Sequence, residues 1–295
     1  MEKNMIEGIS TALITPFRNG QVDEEALRGL VERQIEAGID GLIPCGSTGE
    51  SATLSHIEHR RVVEIVIEAT AGRVPVIAGT GSNSTREAIE LTMHARDAGA
   101  SAALLLSPYY NKPTQEGIYA HYAAIAKEAS FPIVIYNIPG RTASNISADT
   151  IARLARLENI IGVKEASGDL DQMAHIIDKS PSDFAVVSGD DSLALPLLAL
   201  GGKGVISTSA TIAPIQMLTL VREFLAGNLD VARQIHFALL PLFDALFCET
   251  NPIPVKAASA ALGWCSDEIR LPLTQISDGN LEHLKLVLKD LGIAQ

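Results

Sequence analysis

Residues 131–169 read FPIVIYNIPGRTASNISADTIARLARLENIIGVKEASGD and contain two short apolar runs separated by a longer stretch of helical character. The runs, Pro132–Tyr136 and Ile160–Val163, are rich in Val and Ile, as strands buried on both faces of a parallel sheet are. A strand, a crossover helix and a second strand form a β-α-β unit. The segment therefore predicts a parallel sheet covered by helices.

The same pattern recurs along most of the chain. The apolar runs begin at intervals of roughly 20–34 residues, which fits repeated β-α units. The eight runs are Ile9–Ile14, Gly41–Pro44, Pro75–Ala78, Ala102–Leu106, Pro132–Tyr136, Ile160–Val163, Phe184–Val187 and Gly204–Ile206. Eight such units predict a closed (β/α)8 TIM barrel. The competing interpretation is an open doubly wound sheet, but the GxGxxG motif that marks such a sheet after its first strand is missing.

Beyond the eighth run the sequence has helical periodicity and no further strand pattern. The helical segments are predicted at Pro214–Ala226, Asp230–Cys248, Pro254–Leu262 and Asn280–Leu291. We therefore predict a (β/α)8 catalytic barrel over residues 1–225 and a C-terminal α-helical region over residues 226–295.

Two helix starts carry the spacing of a capping box. In Ser55-x-x-Glu58 and Ser84-x-x-Glu87, each side chain is expected to satisfy a backbone amide of the first turn. A third start, Asp23-Glu24-Glu25, places negative charge where the helix dipole favours it.

The composition argues against several classes of protein. A net charge of −12 opposes binding to a phosphate backbone, so nucleic acid is not an expected partner. Three scattered cysteines, Cys45, Cys248 and Cys265, form no CxxC, which argues against a disulfide framework or a thiolate zinc site. The segment MEKNMIEGIS lacks the apolar stretch of a signal peptide, and no run of about 18 apolar residues is present to span a membrane. A cytoplasmic protein is expected.

Barrel enzymes carry their catalytic groups at the C-terminal ends of the strands, and Lys164 lies at such an end. Lysine is rarely buried without a partner or a task. Burial disfavours the ammonium form, and a neutral amine is the nucleophile that Schiff-base chemistry requires. The structural alternative is an ion pair with Glu165, but alternation along a strand points Lys164 and Glu165 to opposite faces.

Other strand ends offer groups that could assist. Tyr136 could move protons as a general acid and base, or could be a core aromatic with a satisfied hydroxyl. Ser47 and Thr48 lie in a glycine-flanked loop that could hold a carboxylate, although such residues are also ordinary in turns. Arg141 could bind a second carboxylate at two points, or could be a surface arginine.

Two motifs raise the question of a metal. His56-x-x-His59 has i, i+3 spacing instead of the HExxH spacing of zinc proteases, so a solvated helix start is the favoured interpretation. Asp190-Asp191 could hold Mg²⁺, but capping of the next helix is favoured. No metal site is predicted.

Taken together, the strand ends resemble the motifs of the dihydrodipicolinate synthase / N-acetylneuraminate lyase family. The motifs are GSTGES (46–51), PYYNKP (108–113), YNIPGRT (136–142), GVKEASG (162–168), SGDD (188–191) and GVIS (204–207). Within the family, YYNKPTQEG (109–117), GRT (140–142) and NPIPVK (251–256) resemble the branch that condenses pyruvate with L-aspartate 4-semialdehyde for lysine and diaminopimelate biosynthesis.

The resemblance implies a role for each matching residue and no cofactor. Lys164 would form an imine and then an enamine with pyruvate, and Tyr136 would donate and accept the protons. Ser47 and Tyr110 would complete the proton relay, with Tyr110 supplied by a neighbouring subunit. Pyruvate would contact Thr48 and Ile206, with Gly189 lining its pocket. Arg141 would bind the carboxylate of the semialdehyde.

The resemblance also implies regulation and assembly. Seven positions match those that bind lysine as a feedback inhibitor in some family members: Ser51, Ala52, His56, His59, Asn83, Glu87 and Tyr109. The same resemblance implies a homotetramer built as a dimer of dimers.

Three alternatives stay open. The chain could be another pyruvate-dependent class I aldolase of the family, cleaving N-acetylneuraminate or a keto-deoxy sugar acid. The Ser47-Thr48 pair is consistent with this alternative, because biosynthetic members of the family commonly have Thr-Thr at these positions whereas Ser-Thr also occurs in the lyase branch. The second alternative is a non-catalytic sensor of keto acid or lysine, and the third is a metal-dependent aldolase.

Overall fold

The computed structural model describes residues 5–294 and forms a barrel of eight parallel strands surrounded by helices. The barrel strands are β1 (Gly8–Ala12), β4 (Gly41–Ile43), β5 (Ile77–Gly79), β6 (Ala102–Leu106), β7 (Ile133–Asn137), β8 (Ile160–Glu165), β9 (Ala185–Ser188) and β10 (Gly204–Ser207). Each of the eight predicted runs contains or overlaps one of them. The segments 1–4 and 295, at the outer ends of the two predicted regions, lie outside the described residues.

The strands follow the order β4-β1-β10-β9-β8-β7-β6-β5. A single parallel bridge between Leu42 and Val76 joins the two ends of that order and closes the sheet. The predicted TIM barrel is therefore confirmed, and the open doubly wound sheet is excluded.

The barrel interior and its outer layer are filled by alternate residues of the same strands. Leu104 and Val134 belong to the interior cluster, whereas Leu105 and Ile135 belong to the larger cluster between strands and helices. Because successive side chains of a strand point to opposite faces, both faces must be apolar to be buried. This is why each strand appears in the sequence as an unbroken apolar run.

Helices follow the strands and complete the outer layer. They are α1 (Glu24–Ala37), α2 (His56–Thr70), α3 (Thr85–Asp97), α4 (Gln115–Ala129), α5 (Pro139–Thr142), α6 (Ala148–Leu154), α7 (Leu170–Lys179), α8 (Ala194–Ala199), α9 (Pro214–Leu225), α10 (Leu229–Leu246), α11 (Ile253–Ala261) and α12 (Asp278–Asp290).

One predicted capping box forms and the other forms only in part. Ser55 and Glu58 satisfy each other's backbone amides at the start of α2. Ser84 caps the amide of Glu87 at the start of α3, but the Glu87 carboxylate instead accepts a hydrogen bond from the Ser82 hydroxyl and pairs with His56. The second reciprocal box is therefore wrong, because stronger partners engage the Glu87 side chain.

The C-terminal helices lie against the barrel. Helix α9 packs on α10, and Leu218 and Leu242 from these two helices belong to one hydrophobic cluster. The described residues beyond β10 contain no further strand. The division at residue 225 remains a prediction.

A short hairpin was not predicted. Its strands are β2 (Phe17–Arg18) and β3 (Gln21–Val22), joined by Asn19 and Gly20 with φ of 54° and 80°. Positive φ at both central residues is the geometry that an Asn-Gly turn favours. The hairpin contacts the C-terminal region, since Arg270 donates a hydrogen bond to the Gly20 carbonyl over 2.8 Å.

None of the helices described between residues 5 and 294 is both long enough and apolar enough to cross a membrane.

Candidate active site

Lys164 and Tyr136 lie side by side at the ends of neighbouring strands. They are register partners on β8 and β7, and each is 6% exposed. The Lys164 Nζ lies 4.4 Å from the centroid of the Tyr136 ring. The structure thus brings the predicted nucleophile and the predicted proton carrier into contact inside the barrel.

Glu165 does not pair with Lys164. Its carboxylate points to the opposite face of β8, where it accepts hydrogen bonds from Asn137 and from the Ser167 amide. Burial raises the pKa of Glu165, against the effect of these hydrogen bonds. The ion pair between adjacent residues, which was the structural explanation for Lys164, is therefore excluded.

Gly189 and Ile206 border the lysine. A Cβ added to Gly189 would stand 2.9 Å from Lys164 Cε and 2.6 Å from the Ala166 Cβ. Ile206 is fully buried and belongs with Tyr136 to the interior cluster. The aliphatic part of the Lys164 side chain thus lies directly against Gly189, where any larger residue would collide with it.

Thr48 is held by residues distant in the sequence. Asn251 Nδ2 donates a hydrogen bond to Thr48 Oγ1 over 2.9 Å, and the Thr208 hydroxyl lies 3.4 Å from the same atom. The loop that carries Thr48 has positive φ at Cys45 (56°) and Glu50 (53°), which non-glycine residues rarely adopt. Such backbone geometry needs support from the surrounding structure.

A buried ion pair supplies part of that support. Lys256 of α11 pairs with the Glu50 carboxylate, and both side chains are 1% exposed. The ammonium also lies 4.0 Å from the centroid of the Phe17 ring. Burial lowers the pKa of Lys256, and Glu50 opposes that effect. Neither Glu50 nor Lys256 is predicted from the sequence to support the site.

Arg141 is connected to Thr48 through Asn251. Its guanidinium donates a hydrogen bond to the Asn251 carbonyl over 2.7 Å while its side chain remains exposed. Asn251 thus contacts both predicted carboxylate-binding residues. In the sequence, Asn251 is part of the NPIPVK motif (251–256), and no local pattern indicates its two partners.

A cleft of about 440 Å³ opens beside these residues. Ser47 and Arg141 line it together with six of the seven residues predicted to bind lysine: Ser51, Ala52, His56, His59, Glu87 and Tyr109. The seventh, Asn83, donates a hydrogen bond to the Tyr109 carbonyl over 3.2 Å. The cleft therefore joins most of the predicted lysine-binding residues to Ser47 and Arg141, whereas Lys164, Tyr136, Thr48, Gly189 and Ile206 are not among its lining residues.

The two histidines in this cleft have different partners. His59 is buried, and its Nε2 donates to the Gly79 carbonyl over 2.8 Å. Burial lowers the pKa of His59, which favours the neutral ring. His56 lies 2.8 Å from the Glu87 carboxylate. Across residues 5–294, no group of three or more His, Cys, Asp or Glu side chains is arranged to hold a metal ion.

Tyr110 and the aspartate pair are placed differently from the other candidates. Tyr110 is 88% exposed with a φ of 69°, and it does not line the cleft. Asp191 is buried and accepts hydrogen bonds from the Ser209 amide and hydroxyl over 2.8 and 2.7 Å. Neither aspartate side chain caps the following helical turn, so the capping expectation is wrong.

Burial, together with the neighbouring Asp191, raises the pKa of Asp190, and the Lys164 ammonium opposes the rise.

Comparison with known proteins matches residues 5–291 to the dihydrodipicolinate synthetase family. The 4-hydroxy-tetrahydrodipicolinate synthase of Syntrophus aciditrophicus is 56% identical over 98% of this chain and 99% of its own length. The enzyme of the same name from Syntrophobacter fumaroxidans is 55% identical over 98% of this chain and 100% of its own.

Solved structures agree with these relatives. A lysine-bound dihydrodipicolinate synthase from Cyanidioschyzon merolae superposes with a TM-score of 0.96 at 44% identity, covering 99% of this chain and 100% of its own. A chloride-inhibited enzyme from Acinetobacter baumannii, complexed with pyruvate, gives 0.95 at 47%, covering 98% and 99%. A variant described as the first monomeric dihydrodipicolinate synthase gives 0.97 at 45%, covering 98% of each chain. By sequence, fold and the residues at its strand ends, the chain belongs to the dihydrodipicolinate synthetase family.

Proposed function

We propose that this chain is a 4-hydroxy-tetrahydrodipicolinate synthase that condenses pyruvate with L-aspartate 4-semialdehyde through a Schiff base on Lys164. The observation that carries the proposal is the buried contact between Lys164 Nζ and the Tyr136 ring at the C-terminal ends of β8 and β7. Barrel enzymes carry out their chemistry at these strand ends. Full-length relatives of this name, at more than half identity, support the choice of reaction.

The chemistry begins at the lysine amine. Lys164 Nζ attacks the ketone carbon of pyruvate, and loss of water from the carbinolamine leaves an imine. Removal of a methyl proton gives the enamine, whose carbon attacks the aldehyde of the second substrate. The amino group of that substrate then attacks the imine carbon, which closes the ring and releases Lys164. Tyr136 is assigned to carry protons in these steps.

Two groups of residues bind the carboxylates. The Ser47-Thr48 loop, held by Asn251, is assigned to the carboxylate of pyruvate. Arg141, fixed through the Asn251 carbonyl, is assigned to the carboxylate of the semialdehyde. A planar guanidinium suits a carboxylate because it can donate two parallel hydrogen bonds.

Borohydride trapping tests the Schiff base. Incubation with pyruvate and borohydride, followed by peptide mass mapping, is expected to give a reduced adduct at Lys164 and none in Lys164→Ala. Absence of the wild-type adduct would overturn the proposal and favour a non-catalytic sensor. Activity that disappears with a chelator and leaves no adduct would indicate a metal-dependent aldolase.

A coupled assay tests the second substrate. Pyruvate is supplied either with aspartate semialdehyde or with N-acetylmannosamine, and product formation is followed in each case. Turnover with the semialdehyde is expected. Turnover with the sugar alone would identify a lyase of the same family instead.

We further propose that Tyr110 acts across a subunit boundary in a homotetramer. Its side chain is 88% exposed, so it contacts little of its own chain. Inactive Lys164→Ala and Tyr110→Phe chains are mixed after partial unfolding and refolded together. Recovered activity is expected if Tyr110 serves a neighbouring subunit. No recovery, or a monomeric mass by analytical ultracentrifugation, would contradict this assignment.

We propose that the cleft beside Ser51, His56 and Glu87 binds lysine as a feedback inhibitor. The Glu87 carboxylate lines the cleft and pairs with His56, and its negative charge would attract the ammonium of lysine. In Glu87→Gln, the lysine concentration needed for half inhibition is expected to rise while the rate without lysine is retained. Unchanged inhibition in this variant would contradict the proposed site.

A further inference from the structure

Asn137 and Glu165 form a second pair directly behind Tyr136 and Lys164. The strands β7 and β8 align Tyr136 with Lys164 and, one residue later, Asn137 with Glu165. Because alternate residues face opposite sides of a sheet, the first pair points into the barrel and the second toward the helices. Asn137 and Glu165 are both fully buried.

Both the nitrogen and the oxygen of the Asn137 side-chain amide form hydrogen bonds. Its Nδ2 donates to the two Glu165 oxygens over 3.1 and 3.0 Å and to Asn145 Oδ1 over 2.8 Å. Its Oδ1 accepts a hydrogen bond from the Ile146 amide over 3.0 Å. One side chain therefore joins the end of β7 to the end of β8 and to the segment that leads into α6.

The Glu165 carboxylate is held entirely by neutral donors among the described residues. Besides Asn137, the Ser167 amide donates over 2.8 Å and Gln172 Nε2 lies 3.4 Å away. A buried carboxylate without a cation needs each of its hydrogen bonds, since losing one leaves a costly unpaired group. The two strand ends therefore cannot slide relative to each other without breaking this arrangement.

Backbone hydrogen bonds continue from the same point. The Ala166 amide donates to the Asn137 carbonyl over 2.9 Å, and the Gly189 amide donates to the Glu165 carbonyl over 2.7 Å. Glu165 thus lies between β7, which carries Tyr136, and Gly189 at the end of β9, which confines the Lys164 side chain. A shift of the Glu165 backbone would be transmitted to Tyr136 and to Gly189, the two residues that border the Lys164 side chain.

We propose that Asn137 and Glu165 are positioning residues that fix Tyr136 against Lys164 for imine chemistry. The inference rests on the proposed function of Lys164. Neither side chain lines the cleft or contacts Lys164, so they act through the backbone of the two strands. Misplacement of reacting groups by about 1 Å can slow a reaction by about 100-fold, so a small shift between the strands is sufficient.

The test compares Asn137→Ala with a matched control, Asn159→Ala. Asn159 is also an asparagine that binds neighbouring segments, donating to the Ala126 and Phe131 carbonyls, but it lies at the opposite end of β8. Both variants are expected to unfold at lower urea concentration than the wild type. Only Asn137→Ala should slow borohydride-trapped imine formation and the exchange of pyruvate methyl protons in D₂O, by about 10- to 100-fold. Its KM for the semialdehyde should stay unchanged.

An exchange of the pair gives a second, independent readout. Asn137→Asp alone places two carboxylates together and should lose activity, whereas Asn137→Asp with Glu165→Gln restores one donor and one acceptor and should recover part of the rate. Equal imine rates in Asn137→Ala and Asn159→Ala, or no recovery in the double variant, would overturn the inference and leave the proposed function intact. Absence of the adduct in the wild type would overturn both.

Discussion

Gly189 lies against the stem of Lys164, so closely that a Cβ at position 189 would stand 2.9 Å from Lys164 Cε and 3.1 Å from its Cγ. Real Cβ atoms do not approach other atoms so closely without displacing them, and the added Cβ would also stand 2.6 Å from the Ala166 Cβ. The position of the candidate nucleophile therefore depends on the absence of a side chain on the neighbouring strand end.

The substitution Gly189→Ala is expected to displace Lys164 and slow imine formation by about 100-fold, since the amine would no longer face the bound keto acid. Overpacking should also lower the free energy of unfolding by about 1–3 kcal/mol. Trapping with borohydride and urea unfolding measure the two effects. Gly29→Ala is the control, because a Cβ on Gly29 meets nothing within 4 Å. Equal trapping rates in the two variants would contradict the expectation.

Replacing Arg141 should affect the second substrate alone. Arg141→Ala removes a charged hydrogen-bond donor worth about 1.5–3 kcal/mol, so KM for the semialdehyde should rise by about 10- to 100-fold. The rate of imine formation with pyruvate should not change, because Lys164 is held by other residues. Steady-state kinetics and the trapping rate separate the two steps. A slower trapping rate would show that Arg141 also serves pyruvate.

Breaking the buried ion pair should destabilise the whole protein. Lys256→Met leaves the Glu50 carboxylate buried without its cation, at a cost of about 3–5 kcal/mol in the free energy of unfolding. Adding Glu50→Gln removes the uncompensated charge and should recover much of that loss. Urea denaturation of both variants measures the difference. A loss below about 1 kcal/mol in Lys256→Met would mean that water reaches the site.

Low pH should weaken the ion pair between Glu58 and Arg270 of the C-terminal region. Hydrogen bonds from Arg270 hold the pKa of Glu58 at about 2, below its ordinary value of 4.5. A carboxyl whose pKa is lower in the folded state contributes stability above the unfolded pKa and loses it as pH falls toward the folded one. The stability difference between the wild type and Glu58→Gln should therefore be constant above pH 5 and shrink between about pH 4.5 and 2. A difference that does not change with pH would contradict the assignment.

The strands and the principal chemistry could be predicted from the sequence because both are local. Buried parallel strands are continuous apolar runs, so each run predicted its strand to within a few residues. Lys164 and Tyr136 could be recognised because each lies at the end of such a run. In the structure, the Lys164 Nζ lies 4.4 Å from the centroid of the Tyr136 ring. The hairpin was missed because strands of two residues have no periodicity, although its Asn19-Gly20 turn was a usable signal.

The contacts that support the site residues could not be predicted, because the two residues of each contact are far apart in the sequence. Thr48 and Asn251 are separated by 203 positions, and Glu50 and Lys256 by 206. No local pattern indicates that a lysine in an apolar helix is paired, or with which residue. Glu87 shows the same limit, since its spacing predicts a cap while Ser82 and His56, the latter on the preceding helix, engage its carboxylate.

The arrangement of β7 and β8 matters for protein engineering. Tyr136 and Lys164 face the barrel interior, while Asn137 and Glu165, their immediate neighbours, face the helices. A mutant library restricted to residues that line the cleft would sample Ser47 and Arg141 and would leave Asn137 and Glu165 untouched. Libraries designed to change the reaction of this barrel should therefore include the outward-facing residues at the ends of its strands.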